Sequence, residues 1–194
     1  MAGYRVLMVC TGNICRSPFA ERLLRARLDQ RFGPQAAQIE VSSAGTYALV
    51  GEPIMPEAAE TLVRYGGDPA RFAACALDPG RIEAADLVLG LTREHRAAVI
   101  TMVPRASSRT VTLREYARLL SGVSHGDLPG AEADLVTRFH ALTKAAFGQR
   151  GLVALKDPSD DDIPDPFGRP MPAYEKAAAL IDEALEVPLS LLAG

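Results

Sequence analysis

The feature that most constrains the fold lies near the start of the chain, where a buried strand, an unusual loop and a helix follow one another. Val6 to Val9 form a short continuous apolar run, the pattern of a strand buried on both faces of a parallel sheet. From Pro18 to the stop at Gly33-Pro34, apolar residues recur at helical spacing: Phe19, Leu23, Leu24 and Leu28. The segment between them, Cys10 to Ser17, is therefore predicted to turn a central strand into a helix.

The same alternation of strands and helices continues along the chain. Further strands are predicted over Ile39–Val41, Ala85–Leu91 and Arg109–Leu113. Helices are predicted over Pro56–Tyr65, Thr92–Val99, Glu132–Phe147 and Ala173–Leu185. Loops are predicted over Ser42–Thr46, Ser121–Gly130 and the acidic, proline-rich Asp157–Pro172. This order predicts a Rossmann-type α/β fold, an open parallel four-stranded sheet with helices on both faces, in one domain over residues 1–194.

The charge balance and the cysteine count limit the partners and the compartment. With 21 basic and 24 acidic residues the net charge is -3, so the chain has no overall positive field and we expect neither nucleic acid nor membrane as a partner. The segment from Met1 to Cys10 fits neither a signal peptide nor a membrane span, which favours the cytoplasm and leaves export without a signal open. An odd count of three cysteines suggests chemistry in a reducing compartment rather than a disulfide framework.

The residues of the first loop predict a local anion site. Ligands of parallel α/β sheets bind where strands end, beside the unpaired N–H groups of the next helix. Gly12 and Asn13 permit a left-handed backbone that turns several N–H groups inward, and Arg16 at the helix entrance can hold two oxygens with one guanidinium. Phosphate or another tetrahedral oxyanion is the expected ligand.

The same electric field favours a thiolate at Cys10, which makes this residue a candidate nucleophile. Ser17 could donate a hydrogen bond to the sulfur, and Asn13 could hold the loop by reaching Ser43. A zinc site at Cys10 and Cys15 would need a second cysteine pair or a histidine nearer than His95, so no metal is expected. The loop also lacks the lysine and the glycines of nucleotide-binding loops, and no cofactor is expected.

These residues resemble the low-molecular-weight protein tyrosine phosphatases, whose signature is a cysteine, five residues and Arg-Ser after the first strand. The resemblance runs from Val9 to Pro18 and Ala20-Glu21, and continues through Ser42–Thr46, Gly51–Pro53, Ala85–Leu89 and Asp165–Phe167. It implies a phosphotyrosine phosphatase I-like fold and hydrolysis of phosphotyrosine in proteins through a cysteinyl-phosphate intermediate. The partner would be a phosphotyrosine-containing protein, and the enzyme a monomer or a weak homodimer.

The resemblance also assigns the site. Its catalytic residues would be Cys10, Arg16, Ser17 and Asp165, the last as general acid and base. Its substrate-binding residues would be Thr11, Gly12, Asn13, Ile14, Cys15, Ser43, Tyr47 and Phe167. Phe167 is expected on one wall of the cleft. Tyr47, in a chain without tryptophan, belongs to the segment that would form the other. The other carboxylates of Asp157–Pro172 are expected to be solvated.

Several alternatives stay open at this point. Ile14 favours tyrosine over the protein-arginine phosphatase branch of the family, which has threonine there. A thiol-dependent arsenate reductase would need a thiol relay, for which Cys75 is a lone candidate, and a noncatalytic phosphotyrosine-binding protein could dispense with Cys10 and Asp165.

Three more sequence features lead to expectations. Phe72 stands where relatives have a histidine, which could rearrange the support of Asn13. Residues around 104–155 form an insert atypical of the family. Cys15 could form a reversible, protective disulfide with Cys10, making the enzyme redox-sensitive, or could be a packed small side chain.

Overall fold

The computed structural model describes residues 3–155 and 157–193, so residues 1, 2, 156 and 194 of the predicted domain lie outside the described part. Among the residues it describes, four parallel strands form one sheet in the order β2-β1-β3-β4: β1 Tyr4–Cys10, β2 Ile39–Gly45, β3 Leu87–Gly90 and β4 Thr110–Thr112. The predicted α/β class and the four-stranded parallel sheet are confirmed.

In the described part of the chain seven α-helices surround the sheet: α1 Arg16–Phe32, α2 Pro56–Arg64, α3 Pro79–Ala84, α4 Arg93–Met102, α5 Leu113–Leu120, α6 Leu135–Gly148 and α7 Met171–Ala193. Alternating side chains of β1 divide the core between the two faces. Val6 and Met8 belong to the large cluster with α1, α2, α5, α6 and α7, whereas Leu7 and Val9 belong to a smaller cluster with α3 and α4. No helix within residues 3–155 or 157–193 is long and apolar enough to cross a membrane.

The register of the central strands brings the ends of β1 and β2 together. Cys10, the last residue of β1, pairs with Gly45, the last residue of β2. The predicted loop at Ser42–Thr46 was therefore wrong for its first four residues, because Ser42–Gly45 continue β2 beside β1. This pairing places the loop after Cys10 against the loop after Gly45.

The other differences concern helices. The sequence interpretation missed α3 and α5, and it ended the last helix at Leu185, whereas α7 continues through Pro188 to Ala193. A short 3-10 helix at His125–Asp127 interrupts the predicted loop at Ser121–Gly130, and another at Pro158–Asp161 lies in the acidic loop. The segment predicted as an insert holds β4, α5 and α6, and its side chains Leu113, Tyr116, Phe139 and Leu142 are part of the large core cluster.

Candidate active site

The backbone of the loop from Cys10 to Ser17 is held from outside by the segment that follows β2. The carbonyl oxygens of four loop residues accept hydrogen bonds from N–H groups of this segment at 2.9–3.0 Å: Cys10 from Thr46, Thr11 from Tyr47, Gly12 from Leu49 and Ile14 from Met55. In a trans peptide the N–H points opposite to the C=O, so the N–H groups that follow these carbonyls point to the inner side of the loop. Asn13 has the predicted left-handed conformation, with φ of 54°.

A cavity of about 200 Å³ lies on the inner side of this loop. Nine of the predicted site residues line it: Cys10, Thr11, Gly12, Ile14, Cys15, Arg16, Tyr47, Asp165 and Phe167. Leu49 completes the lining beside Tyr47, on the side of the segment that follows β2. Leu49 was absent from the predicted site, although it lies in the segment expected to supply the wall. The site therefore combines inward N–H groups with a thiol, a guanidinium and apolar walls.

The hydrogen bonds around Cys10 leave the hydroxyl proton of Ser17 free to point at the sulfur. Cys10 is 2% exposed, and its sulfur is 2.9 Å from the Ser17 hydroxyl oxygen. The side-chain amide of Asn13 donates one N–H to Ser17 Oγ at 2.9 Å and the other to Ser43 Oγ at 2.8 Å. Because Ser17 Oγ accepts from Asn13, its own proton is available to the sulfur. Ser17 can thus stabilise a thiolate at Cys10.

A buried network fixes the orientation of the Asn13 amide. Ser43 donates its hydroxyl proton to Glu21 Oε2 at 2.7 Å, which leaves Ser43 Oγ to accept from Asn13. The Asn13 amide oxygen accepts from the backbone N–H of Cys75 at 2.8 Å. Asn13 and Ser43 are buried beneath the loop and do not line the cavity, so their contacts support the loop rather than reach its inner side. Phe72 lies apart from this network, under the guanidinium of Arg22.

Arg16 and Asp165 form an ion pair at the cavity. Arg16 is 5% exposed, and its guanidinium donates to the Ile163 carbonyl oxygen at 3.0 Å and lies 2.7 Å from Asp165 Oδ2. The other oxygen of Asp165 accepts from the Phe167 N–H at 3.2 Å. The Asp165 side chain is 51% exposed, so the acid has room to turn at the mouth of the cavity. The structure thus brings the predicted acid to the predicted guanidinium.

Other carboxylates of the same loop have structural roles. Asp161 is 5% exposed and pairs with Arg118 at 2.9 Å, and Asp162 pairs with Arg93 at 2.8 Å. The expectation that Asp161 is solvated was wrong, because Arg118 of α5 holds it in a buried ion pair, whereas Asp162 stays partly exposed beside Arg93 of α4. The ion pairs tie the loop that contains Asp165 to the body of the molecule.

The remaining cysteines differ from Cys10. Burial, and after it the neighbouring Cys10, raises the pKa of Cys15 to about 12, which keeps this thiol protonated. Burial also raises the pKa of Cys75, whose sulfur donates to the Ser43 carbonyl oxygen at 3.1 Å. Gly45 pairs with Cys10 on one side and with Ala76 on the other. Cys75 is therefore about two strand spacings, roughly 10 Å, from Cys10 in the sheet direction, too far for direct thiol exchange in this conformation.

His95 is a residue of this region that the sequence interpretation used only in weighing a zinc site. It lies in the first turn of α4, is 4% exposed, and its Nε2 is 2.9 Å from the hydroxyl oxygen of Thr11. Burial, and after it the charge of Arg16, lowers the pKa of His95 to about 4, so the ring is neutral at neutral pH. Within residues 3–155 and 157–193, no three histidine, cysteine or carboxylate side chains are grouped as metal ligands.

Comparison with known proteins gives consistent matches. Residues 5–140 match the family described as low molecular weight phosphotyrosine protein phosphatase. The chain is 35% identical over 111 residues to the low molecular weight protein-tyrosine-phosphatase Etp of Escherichia coli strain K12, covering 57% of this chain and 70% of Etp. It is 29% identical over 187 residues to a protein-arginine-phosphatase of Geobacillus stearothermophilus, covering 94% of this chain and 95% of that protein.

A similar fold is found in the solved structure of Vibrio vulnificus Wzb in complex with benzylphosphonate. The TM-score is 0.66 at 25% sequence identity, and the alignment covers 96% of this chain and 97% of Wzb.

Proposed function

The chain belongs to the low molecular weight phosphotyrosine protein phosphatase family, and from this premise we propose that it hydrolyses phosphotyrosine in proteins with Cys10 as nucleophile. The observation that carries the proposal is the convergence of the Cys10 sulfur, the Arg16 guanidinium, the loop N–H groups and Asp165 on one cavity. A phosphoryl group is the tetrahedral anion that fits such donors. The benzylphosphonate bound to Wzb is a related phosphonate ligand.

In the first step the Cys10 thiolate attacks phosphorus, and the bond from phosphorus to the tyrosyl oxygen breaks. Asp165 gives its proton to the departing oxygen, because a phenolate leaves slowly without one. Arg16 and the inward N–H groups stabilise the charge on the three equatorial oxygens. For this to happen the Asp165 carboxyl group must leave its contact with Arg16, whose donors then bind the phosphoryl group.

In the second step water attacks the phosphorus of the cysteinyl phosphate. Asp165, now a carboxylate, accepts a proton from this water, and the electron pair of the sulfur–phosphorus bond returns to Cys10 as a thiolate. The Ser17 hydroxyl, 2.9 Å from the sulfur, stabilises the thiolate as it leaves. The products are tyrosine and inorganic phosphate, so the mechanism needs neither a metal nor a redox partner.

The walls of the cavity favour an aryl phosphate. Ile14, Tyr47, Leu49 and Phe167 surround its sides with mostly apolar surface. A tyrosyl ring is long enough to place its phosphate near the buried Cys10 sulfur, whereas phosphoserine is shorter. Phosphoarginine in proteins is the second candidate substrate, since one relative, which matches 94% of this chain, is a protein-arginine-phosphatase. Ile14 favours tyrosine, because its side chain offers no hydrogen-bond partner to a guanidinium.

The test compares peptides that carry phosphotyrosine, phosphoarginine or phosphoserine, with a separate assay of arsenate and thioredoxin. We expect the fastest turnover on phosphotyrosine. Cys10→Ser should abolish turnover yet retain binding of inorganic phosphate, and Asp165→Ala should lower kcat by about 10²- to 10⁴-fold on poor leaving groups. Asp160→Ala is the matched control, because Asp160 is exposed on the same loop.

Each other outcome contradicts a specific part of the proposal. Faster turnover of phosphoarginine than of phosphotyrosine would show that phosphoarginine is the substrate. Release of arsenite that depends on Cys75 would show that the chain is an arsenate reductase. Full activity of Cys10→Ser would show that Cys10 is not the nucleophile.

A further inference from the structure

A hydrogen-bonded chain links α4 to the first residue after the nucleophile. His95 Nε2 is 2.9 Å from Thr11 Oγ1, and His95 Nδ1 is 2.9 Å from Thr92 Oγ1. Thr92 is the N-cap of α4, and its oxygen also accepts the backbone N–H of His95 at 3.4 Å. The imidazole thus lies between two hydroxyl groups in a buried position.

The partners of Thr92 favour one of the two tautomers of His95. Because Thr92 Oγ1 accepts from the backbone N–H, the proton of its own hydroxyl is available to His95 Nδ1. In the tautomer that accepts this proton at Nδ1, the single N–H of the neutral imidazole lies at Nε2 and donates to Thr11 Oγ1. In this tautomer Thr11 Oγ1 is an acceptor towards His95, and its own hydroxyl proton points elsewhere.

Thr11 lines the cavity beside Cys10, so its hydroxyl proton can point away from His95 and into the anion site. We propose that His95 is a positioning residue that holds the Thr11 hydroxyl as an additional donor to a phosphoryl oxygen. The inference rests on the proposed function and adds a side-chain donor to the backbone N–H groups and Arg16. Its ligand is the phosphoryl group of the substrate or inorganic phosphate.

The backbone around β3 supports this placement of His95. A Cβ at Gly90 would lie 2.8 Å from the Arg96 nitrogen and 3.3 Å from His95 Cβ, so a glycine is needed for α4 to approach β3 this closely. The N–H of Leu91 donates to the Val9 carbonyl oxygen at 2.8 Å, which fixes the start of α4 relative to the end of β1. His95 and Thr11 therefore face each other through rigid elements.

The first test observes the proton directly in the native protein. Nuclear magnetic resonance of protein labelled with ¹⁵N-histidine, at neutral pH and in inorganic phosphate, should show His95 with a protonated Nε2 and an unprotonated Nδ1. The chain has three histidines, so His125→Leu and His140→Leu assign the signals. The opposite tautomer would overturn the proposal, because Thr11 would then donate its proton to His95 instead of the anion.

The second test measures phosphate affinity and kcat/KM in a double-mutant cycle. Thr11→Val and His95→Leu should each weaken inorganic phosphate binding and lower kcat/KM by about tenfold, the usual loss for one hydrogen bond to a charged group. The double variant should be no worse than Thr11→Val alone. Thr11→Ser, which keeps a hydroxyl, and His95→Gln, which keeps an N–H at a similar reach, should restore most of the affinity.

The controls separate this inference from general damage and from the proposed function. His125→Leu makes the same substitution at an exposed histidine between α5 and α6 and should change neither quantity. Additive losses in the double variant, or unchanged phosphate affinity in Thr11→Val, would overturn the inference. The tautomer and the phosphate affinity require no turnover, so they remain informative even if the chain does not hydrolyse phosphotyrosine.

Discussion

At the scale of single residues, Asp165 is both the proposed acid and a competitor for the anion site. Its carboxylate lies 2.7 Å from the Arg16 guanidinium, the group that is proposed to bind the phosphoryl oxygens. A dianion must replace this contact before it can bind Arg16 with both nitrogens. The ion pair therefore opposes phosphate binding, while the acid function of the same residue favours the reaction.

We expect Asp165→Asn to bind inorganic phosphate about twofold to fivefold more tightly than the native protein. Half-exposed ion pairs contribute about 1 kcal/mol or less, so a larger gain is not expected. Titration calorimetry at low ionic strength measures the dissociation constant. Asp160→Asn removes the same charge from the exposed part of the loop and should change the constant much less. Equal or weaker binding by Asp165→Asn would show that the ion pair does not oppose the anion.

At the scale of elements, the end of β2 shapes the loop from Cys10 to Ser17. A Cβ at Gly45 would lie 2.5 Å from the Thr11 carbonyl oxygen, which accepts the N–H of Tyr47. The absence of a side chain at Gly45 thus lets the segment after β2 contact the loop from Cys10 to Ser17. The N–H groups of that loop keep their inward direction.

Gly45→Ala should consequently destabilise the protein by about 1–3 kcal/mol, the usual cost of forcing atoms into a packed site. It should also weaken phosphate binding, because the Thr11 carbonyl must move. Gly148→Ala is the control, since nothing lies within 4 Å of a Cβ at this last residue of α6. The free energy of unfolding of Gly148→Ala should equal that of the native protein or be slightly higher. Urea unfolding and phosphate titration measure both effects, and an unchanged phosphate affinity in Gly45→Ala would contradict the argument.

Elements with local signals were predictable from the sequence, and elements that depend on distant partners were less so. Helix α5 was missed although it has such a signal: Thr112 and Glu115 form a capping box, and apolar residues follow at helical spacing. Ser42–Gly45, in contrast, have the composition of a turn and become a strand by pairing with β1. The local pattern of this segment does not encode that pairing.

At the scale of the whole molecule, the site joins segments that are far apart in the chain. Cys10, Arg16 and Ser17 could be predicted together because one short motif contains them. The contact of Arg16 with Ile163 spans 147 residues, and that of Thr11 with His95 spans 84. Neither contact follows from spacing, because the order of the strands in the sheet creates both.

One buried histidine also couples this site to the stability of the whole fold. The pKa of His95 is lowered from 6.5 to about 4 in the folded protein, chiefly by burial. Between these values the unfolded chain binds a proton that the folded protein does not, so the free energy of unfolding falls as the pH falls. The contribution of neutral His95 to the free energy of unfolding is complete at neutral pH, and the part of it that is lost reaches about 3 kcal/mol near pH 4.

His95→Gln removes this titration and should therefore flatten the dependence of stability on pH over the same window. Urea unfolding of the native protein and the variant, from neutral pH to about pH 4, measures the difference between their free energies of unfolding. This difference should shift in favour of the variant by about 3 kcal/mol across the window, because only the native protein loses the contribution of His95. His125→Gln, at an exposed histidine, should keep the native profile. Parallel curves for the native protein and His95→Gln would show that His95 titrates alike in the folded and unfolded states.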